Sequence, residues 1–302
     1  MLFEAKAGGK WAVLLPGPPA ELQPMFLNEV KPWLADLTDC ALHSLVRRVA
    51  GIGESHLEGK VAHLLAGENP TAALYAKTGE VFIRITAKAQ DAAAAEAMCR
   101  AFAGEFYAVL GDAIYGEDSE TLAAAAVHAL QKTGATAATA ESCTGGLVSA
   151  ALTDVPGASE VFGFGACTYS NEQKMRVLGV SGETLRQYGA VSAGTAAEMA
   201  QGVRRAAGAD FGIGITGIAG PGGGTKEKPV GLVFLAAACE NKVYVQKLLM
   251  ENRTRGTGRQ FSAKCALEML RRLALALPQP GGEAFAPGTP AHLGGAQAPR
   301  DA

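Results

Sequence analysis

The 302-residue chain has no Cys-x-x-Cys pair, and its six cysteines, Cys40, Cys99, Cys143, Cys167, Cys239 and Cys265, stand far apart. That spacing excludes zinc ribbons and thioredoxin-type redox chemistry. Histidine is scarce as well: His43, His56, His63, His128 and His292 are the five. None falls between 129 and 291, so no histidine-based triad or histidine-ligated metal can be built within that stretch. No apolar run approaches the ~20 residues that cross a bilayer. Residues 1–10 lack the apolar core of a secretory signal, and the cytoplasm is the expected location. A net charge of −2 argues against a general nucleic-acid binder. The hydrophobic share, 48%, is enough for a real core, and the length suits two domains and a fragment.

The charge is unevenly placed. Residues 1–120 hold 10 Lys and Arg against 16 Asp and Glu, whereas residues 121–277 hold 16 against 11. A net-positive second half suits an anionic small ligand.

The spacing predicts a short strand at Trp11–Leu15, broken by Pro16-Gly17-Pro18-Pro19, then a helix from Ala20 to about Leu37 that Pro32 kinks or splits. Such a piece cannot enclose a core: either it packs on the next domain, or residues 1–40 are the end of a larger N-terminal domain. Residues 41–118 read as a small α+β unit. It has strands at Ser44–Ala50, Ala72–Ala76 and Glu80–Thr86 and helices at Glu54–Leu65 and Ala92–Val109. The order invites comparison with KH modules. However, Gly51-Ile52-Gly53-Glu54 is no G-x-x-G clamp followed by basic residues, and the unit is acidic, so nucleic acid is not an expected partner.

Residues 119–277 alternate strand and helix, which predicts a layered α/β domain. Helices are expected at Thr121–Lys132, from about Thr144, at Asn171–Leu178, Gly194–Ala207 and Thr257–Leu275. Strands are expected at Thr136–Ala140, Val161–Thr168 and Phe211–Ile215. A hairpin of Val230–Cys239 with Lys242–Met250 makes the sheet mixed. The tail 278–302, rich in Pro, Gly and Ala, is expected to be disordered.

Four local features carry chemistry. Thr139-Ala140-Glu141-Ser142-Cys143-Thr144-Gly145-Gly146-Leu147 turns a strand into a helix. Amides at a helix start favour negative charge, so this helix is a candidate oxyanion site with Ser142 as nucleophile. Cys143 is a rival nucleophile, read rather as a small buried hydrophobe. Thr168-Tyr169-Ser170-Asn171-Glu172-Gln173-Lys174 emerges at a strand end. With no histidine available, Lys174 is the candidate base if desolvation lowers its pKa. Gly212-Ile213-Gly214-Ile215-Thr216-Gly217 matches G-x-G-x-x-G. Its first two glycines lie inside the strand, and the following glycine-rich loop cannot open a crossover helix, so the dinucleotide reading fails. Finally, Arg255 and Arg259 sit one turn apart and suit a phosphate or carboxylate.

Together and in this order, these features resemble the C-terminal domain of the CinA family (competence/damage-inducible protein A), the nicotinamide-mononucleotide deamidase. The matching pieces are Ala140–Gly146, Thr168–Asn171 with Lys174, Gly189-Ala190-Val191-Ser192, and Thr216–Gly223. Residues 41–115 resemble the KH-like middle region of that family. Leu15–Pro19 looks like the end of its molybdopterin-binding-like N-terminal domain, which is linked in the family to ADP-ribose pyrophosphatase activity. Most of that domain is absent, and no pyrophosphatase is expected.

The resemblance implies a three-layer α/β/α domain with a mixed sheet, preceded by a small α+β KH-like domain. It implies hydrolysis of nicotinamide mononucleotide to nicotinate mononucleotide and ammonia, with no cofactor and no metal, in a homodimer. By position, Ser142, Lys174 and Tyr169 are the implied catalytic residues. Thr144, Gly145, Gly146, Asn171, Thr216, Gly217, Arg255 and Arg259 are the implied substrate-binding ones. The chain departs from the family at Ala193, where an acid often stands, and at Arg253-Thr254, where Gly-Asp often stands. The alternative is a non-catalytic nucleotide-binding protein of the same type.

Overall fold

The structure is a computed structural model that describes residues 11–279 and the backbones of two further strands, Leu2–Glu4 and Glu283–Phe285. Strand β1 (Leu2–Glu4) pairs antiparallel with β2 (Trp11–Val13). The helix expected over Ala20–Leu37 runs instead in three pieces: α1 (Pro19–Met25), a π-helical turn at Phe26–Val30, and α2 (Lys31–Asp36). Pro32 falls in the first turn of α2, directly after the π-helical turn. Trp11, Leu14, Phe26, Leu27, Leu34 and Leu37 all stay exposed, in keeping with a segment too small for its own core.

Next come β3 (Ala41–Ala50), α3 (Glu54–Leu65), β4 (Thr71–Lys77), β5 (Glu80–Ala89), α4 (Ala92–Leu110) and β6 (Ile114–Glu117). They form an antiparallel sheet in the order β4-β5-β3-β6. Alternation along β5 buries Val81, Ile83 and Ile85 against Leu57, Val61 and Phe106 of the helices. The opposite face carries Phe82 and Arg84, with the Arg48 guanidinium 4.4 Å from the centre of the Phe82 ring. Asp91 caps α4 by accepting from the Ala94 amide at 2.8 Å.

The remaining elements are α5 (Leu122–Thr133), β7 (Ala137–Glu141), α6 (Leu147–Thr153), β8 (Phe162–Cys167), α7 (Asn171–Leu178), α8 (Gly182–Tyr188), α9 (Ala193–Ala207), β9 (Phe211–Gly217), β10 (Leu232–Ala238), β11 (Val243–Leu249), α10 (Arg255–Ala274) and β12 (Glu283–Phe285). The sheet order is β12-β11-β10-β9-β7-β8. Strands β8, β7 and β9 run parallel and the rest antiparallel, the mixed sheet expected from the hairpin. Helices α5, α6 and α10 cover one face through Leu122, Leu130, Leu152 and Leu270. Helices α7 and α9 cover the other through Leu178, Met199 and Val203. A strand between two such layers must be apolar on both sides, and all seven residues of β10 are buried.

Two glycines of the G-x-G-x-x-G match lie inside β9 and are there for packing. A Cβ on Gly212 would sit 2.0 Å from the Ala200 carbonyl oxygen of α9, and one on Gly214 would sit 2.4 Å from that of Ala196. Gly212→Ala is therefore expected to force α9 off the sheet and cost about 2–4 kcal/mol. Urea denaturation of the variant checks this, and an unchanged midpoint would refute it.

Helix α10 also touches the four-stranded unit. Arg271 donates to the Asp112 carbonyl at 2.7 Å, and buried Glu80 accepts from the Tyr115 hydroxyl at 2.7 Å while pairing with Lys264. Further differences from the sequence-based expectation are strand β6, helix α8, and a helix start at Leu147 rather than near Thr144. In the tail, Glu283–Phe285 adds a strand beside β11, while 280–282 and 286–302 lie outside the described residues. Among the described residues, no helix is long and apolar enough to cross a membrane.

Candidate active site

The parallel strands β8, β7 and β9 end side by side, where open α/β sheets gather their ligand sites. Past β7 the chain turns through Ser142–Gly146 before α6 begins. The Ser142 amide donates to the Ile215 carbonyl at 3.0 Å, and the Thr168 amide donates to the Glu141 carbonyl at 3.0 Å. The start of the Ser142 turn is thus fixed to both neighbouring strands.

Ser142 is 8% exposed and Lys174 only 1%. Helix α7, capped by the Ser170 hydroxyl, points the Lys174 side chain back beneath the strand ends. Its Nζ donates to the Thr168 carbonyl at 2.8 Å, the Tyr169 carbonyl at 3.4 Å and the Ser142 Oγ at 3.3 Å. Burial holds the Lys174 ammonium below its ordinary pKa of 10.5, because an ion loses hydration there.

Glu141 stands in the sequence motif with no chemical role expected of it. It is fully buried, and its carboxylate accepts from the amides of Gly146 (3.0 Å), Val148 (3.2 Å) and Ser149 (2.8 Å) and from the Ser149 hydroxyl (2.8 Å). These are the free amides of the α6 start, so the expectation that this helix end receives an oxyanion is corrected: a side-chain anion already occupies it. Closer to Ser142, the amides of Cys143 and Thr144 make no hydrogen bond to a backbone carbonyl among the described residues, and both face the Cys143 sulfur. Thr144 is fully buried, and its hydroxyl has no partner among the described residues.

Cys143 is buried, and desolvation pushes its thiol up to about 11. A thiol protonated at neutral pH is a poor nucleophile. Cys143→Ala is expected to keep activity within about threefold of wild type, and iodoacetamide at neutral pH is expected to leave Cys143 unlabelled. Loss of turnover in that variant would refute the assignment.

The remaining candidate residues fall into two groups. At the rim, Tyr169 is 65% exposed, and its hydroxyl accepts from Arg255 at 3.4 Å. The Tyr169 carbonyl, not its phenol, meets Lys174, so no hydrogen bond joins the expected proton-transfer pair through the ring. Arg255 also donates to the Gly220 carbonyl at 2.8 Å, and Asn171 is exposed at the start of α7. Inside, the Thr216 hydroxyl is spent on the Ala190 carbonyl at 2.7 Å, and a Cβ on Gly217 would meet the Val233 side chain at 2.5 Å. Gly145 and Gly146 both have positive φ, 62° and 95°, which glycine adopts without strain. Arg259 donates its Nε to the Cys143 carbonyl at 2.9 Å and its Nη2 to the Thr144 carbonyl at 2.7 Å.

Sequence reasoning missed Ser149 and Lys228. Lys228 donates to the carbonyls of Tyr188 and Val191 and braces the Gly189–Ser192 turn. No periodicity or motif marks it, since its partners are backbone atoms. At the departures, Arg253 stacks over Phe261 at 4.1 Å, and Ser192 caps α9 just before Ala193. Among the described residues, no three His, Cys, Asp or Glu side chains gather to hold a metal ion.

Comparison with known proteins shows the family. Residues 119–274 match the family model described as the CinA C-terminal domain. Residues 44–116 match the damage-inducible protein CinA KH domain. A CinA-like protein of Desulfovibrio desulfuricans is 48% identical over 276 residues, covering 91% of this chain and 65% of that protein. A putative competence-damage inducible protein of Clostridium perfringens is 51% identical over 238 residues, covering 79% of this chain and 58% of that protein. The chain thus spans less than two thirds of the length of these curated relatives. The crystal structure of competence/damage inducible protein CihA from Agrobacterium tumefaciens is 44% identical over 50% of this chain and 93% of that one, with a TM-score of 0.49. With more than half its length matched by one family model, and with Ser142 and Lys174 inside the matched span, the chain belongs to the CinA family.

Proposed function

We propose that this chain is an amidohydrolase that converts nicotinamide mononucleotide and water to nicotinate mononucleotide and ammonia. The observation that carries this reading is the buried contact between Lys174 Nζ and Ser142 Oγ at 3.3 Å. A neutral amine has two hydrogens and one lone pair. The Thr168 and Tyr169 carbonyls can take the two hydrogens, which leaves the lone pair for the Ser142 hydroxyl.

The chemistry then runs in two halves. Ser142 Oγ attacks the carboxamide carbon while Lys174 takes its proton. The ammonium of Lys174 returns that proton to the departing nitrogen, and ammonia leaves an acyl-serine. Water attacks the ester with Lys174 again as base, releasing the carboxylate and restoring Ser142. The negative oxygen formed in each half needs N–H donors, and the amides of Cys143 and Thr144 are the ones near Ser142 that no carbonyl engages. Arg255, exposed at the rim beside Tyr169, suits the substrate phosphate. A homodimer belongs to the same reading and rests on the family resemblance, and a cytoplasmic location goes with it.

The test is ammonia release from nicotinamide mononucleotide by purified protein in chelator-treated buffer. Release at enzymatic rates supports the reading. Tight binding with no release would overturn it in favour of a non-catalytic nucleotide-binding protein.

A further inference from the structure

We propose that Arg259 is a positioning residue that holds the Ser142 turn in its reactive shape, and that it is not a ligand of the substrate phosphate; this rests on the amidohydrolase reading. Its guanidinium is already committed. Nε and Nη2 grip the carbonyls of Cys143 and Thr144, the two residues directly after Ser142. Such a charge-assisted, two-point contact is strong and geometrically demanding. The peptide bonds here are trans, so each carbonyl and the N–H of the next residue point in opposite directions. By fixing the Cys143 carbonyl, Arg259 also fixes the direction of the Thr144 N–H, one of the two amides beside Ser142 that no backbone carbonyl engages.

Two further observations fit a clamp. A Cβ on Gly145 would lie 3.0 Å from Arg259 Nη2, so a larger residue there would press on the guanidinium. On its far side the same turn is held by the Glu141 carboxylate through the Gly146, Val148 and Ser149 amides. The turn is therefore gripped by its carbonyls from α10 and by its amides from the end of β7. Arg255, one turn earlier on α10, differs: it is exposed, gives one donor to the Gly220 carbonyl and meets the rim residue Tyr169, and hydrogen-bonds to no part of the Ser142 turn among the described residues.

The experiment compares Arg259→Ala, Arg259→Lys and Arg255→Ala on two substrates, nicotinamide mononucleotide and nicotinamide riboside, which carries the same carboxamide without the phosphate. A misplaced catalytic turn costs about 100-fold in rate. Arg259→Ala is expected to lower kcat about 100-fold on the nucleotide with KM changed less than about threefold, and to lower turnover of the riboside by the same factor. Arg255→Ala is expected to raise KM for the nucleotide alone. A rise in KM for the nucleotide with kcat kept, and no effect on the riboside, would overturn the proposal. If Arg259→Ala does not fold, Arg259→Lys carries the test, because it keeps the charge but not the two-point grip: a kcat loss at constant KM supports the clamp, and a KM rise overturns it. If wild type hydrolyses neither substrate, the amidohydrolase reading falls by itself. The clamp is then read from the rate at which a fluorophosphonate labels Ser142, with a tenfold or larger drop in Arg259→Lys supporting it and no change overturning it.

Discussion

Ser142→Ala is expected to remove ammonia release from nicotinamide mononucleotide by at least about 1000-fold, since loss of a nucleophile leaves only binding and oxyanion stabilisation. The fold should survive. Among the described residues the Ser142 hydroxyl has one hydrogen bond, to Lys174, and that amine keeps the Thr168 and Tyr169 carbonyls. The expected cost in stability is about 1 kcal/mol, the net worth of one such bond. Turnover and a urea titration on the same preparation separate the two effects. Ser142 is also the residue on which an acyl intermediate forms, so acid quenching during turnover should add the nicotinate mononucleotide acyl mass to the peptide containing Ser142. Wild-type turnover by the alanine variant would end the nucleophile assignment.

Much of the fold was legible because the sequence punctuates it plainly. Glu240-Asn241 turns two apolar runs into the β10–β11 pair, and helices α5 and α9 begin at side-chain caps, Thr121 and Ser192. The elements that escaped were set by tertiary contact. Strand β6 is four residues with no alternation, and it exists because β3 pairs with it and the Val46 amide binds the Asp118 side chain. Helix α8 is short and polar. Helix α6 starts late because Gly145 and Gly146 turn with positive φ and the Glu141 carboxylate caps its first amides. The site divides in the same way. Ser142 and Lys174 could each be picked out by residue type at a strand end, and the lack of histidine paired them as nucleophile and base, but no spacing shows that side chains 32 positions apart meet. Arg259 looked like an anion ligand because its true partners are backbone carbonyls 115 and 116 positions away, and a carbonyl leaves no mark in the sequence.

Lys174→Met is expected to abolish turnover as fully as Ser142→Ala, because the variant retains the hydroxyl but has no base to take its proton and no acid to release ammonia. The pH dependence makes the assignment specific. Activity needs the neutral amine, so kcat in wild type should rise with pH through a value below 10.5 and then level off, following the lowered pKa of Lys174. Stability carries the same signature. Between that lowered value and 10.5 the folded protein has released the Lys174 proton while the unfolded chain still holds it. The unfolded state therefore binds more protons, and wild-type stability rises with pH across this window and is lost as pH falls through it. The methionine variant has no proton to bind at this position, so its stability should lack this rise. Its stability relative to wild type should be most favourable at neutral pH and decline toward high pH, by about 1.4 kcal/mol for each unit of depression. Parallel urea titrations at several pH values measure the difference directly. Identical pH slopes in the two proteins would mean that Lys174 stays charged in the folded state, and a permanently charged amine cannot serve as the base.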